Sequence, residues 1–446
     1  MAAADIGGDV TEKPCAVPDN ILPNILCIPR SDRSITMKLL DGVNVLSFTH
    51  FLMGPLGTQF LGDLGADVIA VEALDGAFQR KWSPNNAYVG EESMLFACAN
   101  RNKRSLALNL RSPKGIRVAE ELIAKADVVI ENFRPGVMDR LGLGYERAQK
   151  LNPKIIYASA TGYGPDGPYR DKPGQDLLIQ ALTGIAAVTG RAPDGARAVG
   201  VSVVDHHGAA LLALGVLAAL NRAQRTGEGC RVDVSLLAAA LDLQTEGLTA
   251  YLNGPRPTPV RQPGNVSGWH MQAPYGIYPA RDGSIAISLC TNKELGGALE
   301  EPELAAIPDD DDFPRRDEIS ALTERGTRKF TLAELQPRLA AAHVWHMAVN
   351  DYEEVERDPQ VQHNQHIMNV ASAASNASLK LLSHPVRYNG EIPEVRLSPQ
   401  PLGAQTREIL GELGYSPSDI EEHVMDGVVG VPEVKRAQKK YELKRS

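Results

Sequence analysis

Residues 43–72 read VNVLSFTHFLMGPLGTQFLGDLGADVIAVE, and this stretch decides the fold class. VNVLSF (43–48) is a short β-rich run, GPLGTQFLGDLG (54–65) is helical and closes on Gly65, and ADVIAVE (66–72) is a second strand. The connection is long enough to join a parallel pair, so the segment predicts a βαβ unit. Working outward, strand-like runs recur at SLALNL (105–110), DVVIENF (127–133) and KIIYASA (154–160). Helical stretches separate them. In SPKGIRVAEELIAKA (112–126), Ser112 stands at the N-cap and Pro113 at the first helical position. Alternating strands and helices predict a doubly wound α/β domain.

The pattern changes after about residue 225. RTGEGCRVDVSLL (225–237) is a Gly-rich turn entering a strand, and YLNGPRPTPVRQPGNVSG (251–268) is a long Pro/Gly loop. APYGIYPARDGSIAISL (273–289) reads as a hairpin turning at Asp282-Gly283. EEPELAAIPDDDDFPRRDE (300–318) is most simply a solvated charged excursion. Near the end, 402–429 gives two helices, the second capped by Ser416 with Pro417 and Asp419. The expected division is an N-terminal extension (1–36), a large domain (37–225), a smaller α+β domain (228–345), and a linker with C-terminal helices returning to the large domain (346–446). The basic tail (434–446) reads as a solvated helix.

Composition narrows the function classes. At 446 residues the chain is too long for one ordinary core. With 43% hydrophobic and 23% charged residues it reads as globular, and a formal charge of −9 argues against nucleic-acid binding. Apolar runs fall short of the ~18 uncharged residues that a membrane helix needs. Cys15, Cys27, Cys98, Cys230 and Cys290 are scattered without a CxxC pair, which suits a reducing, cytoplasmic compartment. The first 36 residues resemble neither a signal peptide nor an Arg-rich transit peptide.

Two site readings compete. Glu72 ends the second strand, where a nicotinamide-binding fold carries its ribose-binding acid. The preceding loop, THFLMGPLG, lacks the G-x-G-x-x-G that admits a pyrophosphate, so that reading weakens. The second candidate is VVDHHG (203–208), which precedes the apolar run AALLALGVLAAL. Taken alone, Asp205 reads most simply as a helix cap. A metal site is disfavoured because the side chains of His206 and His207 diverge by about 100° on a helix. HVWH (343–346) and HNQH (363–366) are isolated pairs.

Seven strings occur in a familiar order: FTHFLMGP, GDLGADVIAVE, NRNKRSLALNL, VIENFRPGVMDRLGLGYE, YASATGYGPDGPY, PGQDLLIQALTG and LGAQTREILGELGYS. Together, over about residues 38–430, they resemble the class III CoA-transferases, whose relatives include α-methylacyl-CoA racemase. The resemblance implies a Rossmann-like large domain, a small domain and an interlocked homodimer. It also implies acyl-CoA and carboxylic acid substrates, with coenzyme A as a thioester and neither metal nor nucleotide redox cofactor. Asn132, Phe133, Val137, Arg140 and Leu141 would line the CoA site, joined by Leu108 and Arg111. Arg140 would meet a phosphate with its fork of donors, against the simpler reading of a surface ion pair.

The resemblance makes Asp205 the nucleophile, with N–H groups at the helix start keeping its carboxylate ionised. Gly264 and Gly268, in GNVSGW, would supply a loop that stabilises oxyanions. His50, Leu52, Gln175 and Asp176 would surround the substrate. A racemase would need a histidine where Gln175 stands and another near Tyr145–Arg147, where the sequence has none. An intramolecular CoA shift would use the same residues as the transferase, and a non-catalytic acyl-CoA-binding protein is a further alternative. His206 and His207 receive no role.

Overall fold

The computed structural model describes residues 38–257, 260–375 and 377–432. The N-terminal extension and the basic tail lie outside these residues.

The opening stretch folds as its pattern predicts. β1 (Asn44–Phe48) leads into α1 (Met53–Asp63) and then β2 (Asp67–Glu72), which lies parallel to β1 with Val45 opposite Val68. β3 (Lys103–Leu108), α2 (Pro113–Lys125), β4 (Val128–Glu131), α3 (Val137–Arg140), α4 (Tyr145–Leu151) and β5 (Ile156–Thr161) follow. Next come α5 (Asp176–Thr183), the long α6 (Val203–Thr226), β6 (Cys230–Ser235) and α7 (Leu236–Asp242).

One seven-stranded sheet has the order β12-β3-β2-β1-β4-β5-β6, where β12 is the short strand Val429–Gly430. Every pairing is parallel except that of β12 with β3. The strand order reverses between β1 and β4, and loops leaving the strand ends there diverge to leave a crevice.

Both faces of the sheet are covered, which is why its strands read as near-continuous apolar runs. Val45, Val68, Ile130 and Ile156 meet Leu212 and Val216 of α6 on one face. Leu46, Leu106, Val129 and Tyr157 meet Val118 and Ile123 of α2, and Ile409 and Leu410 near the C-terminus, on the other. α6 is long and apolar enough to cross a bilayer by length and composition, but its buried stripe packs into this core. A Cβ on Gly57 of α1 would meet Leu212 of α6 at 2.9 Å, so glycine lets the two helices close up.

A second sheet of three antiparallel strands is formed by β7 (Gly276–Pro279), β8 (Ser284–Ile287) and β9 (His346–Ala348). The β7–β8 hairpin turns where Asp282-Gly283 predicts. Tyr278, Ile285 and Ile287 pack against Leu295, Ile319, Leu335 and Leu339 in a separate core. A hairpin of β10 (Ile367–Ala371) and β11 (Ser378–Leu382) precedes α8 (Thr406–Leu413) and α9 (Pro417–Met425). Ser416 and Asp419 cap α9 reciprocally, as expected.

One expected boundary moves. Cys230–Ser235, taken as the start of the smaller domain, is the edge strand of the large sheet, paired along its whole length with β5. The Gly-rich turn before it returns the chain to the same sheet after α6.

Candidate active site

The crevice at the strand reversal opens into a cavity of about 920 Å³. Its walls come from the segments after β1 (His50 to Met53) and β4 (Asn132 to Pro135) and from the end of β5 (Ala160 to Gly162). Arg170, residues 172–177 and 198–202, Gln180, Asp205 and Leu236 join them, with Phe78, Trp82, Pro84 and Leu95 on the remaining side. It therefore gathers His50, Leu52, Asn132, Phe133, Gln175, Asp176 and Asp205, which the sequence had placed up to 155 positions apart, from His50 to Asp205.

Local chemistry explains this convergence. Asn132 bridges two loops: its Oδ1 accepts from His50 N at 2.8 Å and its Nδ2 donates to His50 O at 2.8 Å. Gly162 and Gly174 cross in direct contact, and a Cβ on Gly174 would lie 2.5 Å from the Gly162 Cα. That crossing sets Gln175 and Asp176 against the end of β5.

Asp205 corrects the cap expectation. It lies within the first turn of α6, and its side chain caps nothing. The cap comes from Asp176, whose Oδ2 accepts from Val204 N at 2.7 Å and Asp205 N at 3.1 Å. Gln180 Nε2 donates to Asp176 Oδ1 at 2.5 Å, and Gln180 Oε1 accepts from Val199 N at 2.9 Å. Asp176 thus takes the N–H groups that were expected to hold Asp205 ionised. Burial, with the neighbouring Asp176 charge, pushes the Asp205 carboxyl up to about 7. The result is a desolvated carboxyl facing a cavity, without a fixed partner among the described residues.

The two histidines diverge as their helical spacing requires. His206 Nδ1 lies 2.8 Å from Ser202 O, and His207 Nε2 lies 2.7 Å from Asp242 Oδ2. His50 is the imidazole in the cavity wall, and burial lowers its pKa. It packs against Phe51 and Phe133, with ring centroids 4.9 and 5.5 Å away.

The remaining expected contacts separate into a rim and four residues away from the cavity. Val137, Arg140 and Leu141 continue from the Asn132 loop beyond the cavity wall. Arg140 and Arg170 bracket Gly136, whose ideal Cβ lies 3.3 Å from Arg140 Nη1 and 3.0 Å from Arg170 Nη2. Arg134 lines the cavity beside them. The surface ion pair considered for Arg140 is not formed among the described residues.

Leu108 is corrected: it is 1% exposed, packed into the core and paired with Val429. Arg111 lies near Asp75, outside the cavity. Gly264 and Gly268 also lie away from this cavity. Asn265 N donates to Ser320 Oγ at 3.0 Å, and Val266 bridges Gly276 of β7, so the loop is fastened to the second sheet. It contributes nothing to its own chain's cavity.

Glu72 closes the nicotinamide reading. Its carboxylate is gripped by Arg80 through Nε and Nη2, each at 2.6 Å, and by Ala77 N at 3.1 Å. The racemase positions point elsewhere too: Tyr145 packs on Tyr157, and Arg147 pairs with Glu120. Sequence reasoning missed Phe78, Trp82, Arg170, Lys172 and Gln180 as cavity residues. Arg170 and Lys172 stand just before PGQD, and that adjacency was the available signal.

Comparison with known proteins agrees with this geometry. The profile of CoA-transferase family III matches residues 40–406. Succinyl-CoA:glutarate CoA-transferase of Mus musculus is 32% identical over 418 residues, covering 91% of this chain and 94% of that protein. Acetyl-CoA:oxalate CoA-transferase of Acetobacter aceti is 37% identical over 301 residues, covering 65% and 75%. The crystal structure of a CAIB/BAIF family protein from Brucella suis superposes with a TM-score of 0.74 at 30% identity, covering 84% of this chain and 99% of that one. With the profile spanning most of the chain and whole-length relatives at this identity, the chain belongs to CoA-transferase family III and is a transferase.

Proposed function

We propose that the protein moves CoA from an acyl-CoA donor to a carboxylic acid, with Asp205 as the nucleophile. The observation that carries this reading is the Asp205 carboxyl itself: desolvated, unbonded among the described residues and facing the cavity, on a helix start that Asp176 caps in its place.

In the first step an Asp205 oxygen attacks the thioester carbonyl. The C–S bond breaks, giving a mixed anhydride and CoA thiolate. The thiolate attacks the aspartyl carbonyl, which releases the donor acid as a carboxylate and leaves an aspartyl-CoA thioester. The acceptor carboxylate attacks that thioester and expels the thiolate. The thiolate then attacks the acceptor's acyl carbon, forming the new CoA ester and restoring Asp205. One thioester replaces another, so no other energy source is needed. Desolvation helps because a carboxylate is a weak nucleophile in water. Hydroxylamine trapping during turnover, followed by peptide mass mapping, tests this directly. The hydroxamate is expected on Asp205, and a label on any other carboxylate overturns the assignment.

The basic lip suits the CoA phosphates. Arg134, Arg140 and Arg170 surround the 132–136 turn, and Phe133 beside them offers a face to the adenine. Arg140→Ala is expected to raise KM for acyl-CoA by about 10- to 100-fold with little change in kcat. Steady-state kinetics with the acceptor saturating checks this.

A pH profile separates Asp176 from Asp205. The ionised form of Asp205 is the nucleophile, so kcat falls as pH drops through about 7. Asp176→Asn removes a charge that holds that value up. The variant is expected to be slower, but to keep its residual kcat to lower pH than the parent. An acid limb that stays in place would assign it to another group.

The Rossmann-like reading of the large sheet and the interlocked homodimer belong to the same proposal. On the open face of the second sheet, Ile277, Ala286 and Met347 stand in one cross-strand row. Ile277 and Met347 are exposed, and a second copy would cover them. Cys98, Cys230 and Cys290 are free thiols, which suits the expected cytoplasmic setting.

A further inference from the structure

The cavity has one wall that the CoA-transfer chemistry does not use. Phe51, Phe78 and Trp82 all face it, and all three are exposed, at 41, 47 and 48%. The Phe51 and Phe78 centroids are 5.0 Å apart. The Phe78 and Trp82 centroids are 5.8 Å apart, with their planes at 22°. Leu52, Met53 and Leu95 fill in beside them. Three half-exposed rings in a row form an apolar surface that water covers poorly, and each buries about 150–250 Å² when it is fully covered.

This shelf is built rigidly. Phe51 is a non-glycine residue at φ 60°, a backbone state that side chains rarely adopt. Gln79, 1% exposed, holds it there by accepting Phe51 N at Oε1 at 3.0 Å. Phe78 and Trp82 flank the short helical turn Phe78–Lys81. That turn is pinned by the two-pronged Arg80–Glu72 pair, by Arg80 Nη1 donating to Gln400 O at 3.0 Å, and by the Arg80 guanidinium over Phe96 at 3.7 Å. The rings are therefore presented to the cavity before any ligand arrives, so little ordering cost remains for binding.

Charge on the walls is unevenly placed. Arg134, Arg170 and Lys172 line the cavity from the β4 loop and the segment before Gln175. The segments 51–53, 78–84 and Leu95 contribute no charged side chain to it. A second carboxylate on an acyl group lying against this wall would be desolvated without a partner.

We infer that the acid exchanged by this enzyme carries a bulky apolar body, best an aryl group, that stacks on the Phe51–Phe78–Trp82 shelf while its carboxyl reaches Asp205. The inference rests on the CoA-transfer reading for the reaction. It rests on the shelf alone for binding.

The test has a kinetic and a binding arm. With succinyl-CoA as donor, kcat/KM for 3-phenylpropionate is expected to exceed that for glutarate by about tenfold or more. Phe78→Ala and Trp82→Ala, both at half-exposed positions, are expected to raise KM for 3-phenylpropionate about tenfold. KM for succinyl-CoA and for glutarate should rise several-fold less than KM for 3-phenylpropionate, a selectivity that general damage to the cavity would not give. In the second arm, 3-phenylpropionyl-CoA is expected to bind more tightly than succinyl-CoA by calorimetry, with the difference lost in Phe78→Ala. Equal or better use of glutarate overturns the inference, as does an equal rise in KM for succinyl-CoA in both variants. Absence of any CoA exchange with a retained binding preference would overturn the transfer reading and leave the shelf standing. Loss of that preference as well would overturn both.

Discussion

Asp205→Asn is expected to lower kcat by about 10⁴-fold or more while the protein stays folded. An amide nitrogen or oxygen at this position cannot form the anhydride, and among the described residues no other carboxyl lining the cavity is free to replace it. Asp176 is the nearest candidate, but its oxygens already accept from Val204, Asp205 and Gln180. The stability of the variant carries a second signature with a definite sign. The folded-state value for Asp205, about 7, lies above that of an unfolded aspartate. The folded chain therefore holds this proton more tightly than the unfolded chain does. That contribution to stability is complete below about pH 4 and is lost as pH rises through about 7. Asparagine carries no such penalty. The variant is expected to match the parent near pH 4 and to exceed it at pH 8, by about 4 kcal/mol before allowance for partial solvent access. Turnover assays with chemical denaturation at both pH values check both halves. An inactive variant that is less stable at pH 8 would point to a structural role for Asp205.

What the sequence made legible here follows from range. β1, α1 and β2 sit within two residues of their predicted places because a strand buried on both faces leaves a continuous apolar run. The edge strand Cys230–Ser235 carries a half-exposed, alternating pattern instead. With a Gly-rich turn before it, that pattern resembled the start of another domain. Within the site, Asp205, Asp176 and Asn132 were legible as members of quoted strings. The exchange of roles at the helix start was not, because the acceptor that caps α6 comes from Asp176, 28 residues before Val204. Phe78 and Trp82 were likewise hidden. Phe78 opens a four-residue helical turn, too short to print a period, and Trp82 follows it, both held by an arginine that reaches back to Glu72. Gly264 and Gly268 were legible as a loop, but its place in the fold was not: Asn265 N donates to Ser320 and Val266 bridges Gly276, which keeps it on the second sheet.

The same limit applies to NRNKRS, which served as a recognition string and proves to be a clasp. Breaking it is expected to give the largest loss of stability in the molecule. Arg101 and Asp63 form a two-pronged ion pair at 2.9 and 2.6 Å, with both side chains at most 3% exposed. Asn102 Nδ2 donates to Asp63 Oδ1 at 2.8 Å, and His384 Nδ1 lies 3.2 Å from Asp63 Oδ2. Arg101 Nη1 donates to Leu382 O at 2.7 Å, and Asn102 Oδ1 accepts from Arg396 N at 2.7 Å and Leu397 N at 3.0 Å. Beside them, Lys103 Nζ donates to Pro55 O, Ala99 O and Asn100 Oδ1 at 2.7 to 2.9 Å. The bonds to Leu382, His384, Arg396 and Leu397 tie the end of α1 and the entry to β3 to the returning C-terminal segment, joining residues 281 to 321 positions apart. Asp63→Ala leaves Arg101 buried without its counter-charge, which costs about 3–5 kcal/mol. That is a large share of the roughly 5–15 kcal/mol that holds a domain of ordinary stability. The double variant Asp63→Ala/Arg101→Leu removes the stranded charge and is expected to recover part of the loss, a positive coupling in a double-mutant cycle. The exposed pair Lys81–Asp75, which also joins nearby segments at 2.6 Å, is the control and should leave the unfolding midpoint where it was. Urea titrations followed by far-UV circular dichroism decide the matter. Equal midpoints for Asp63→Ala and the surface control would show that the buried cluster is not what fastens the C-terminal return to the sheet.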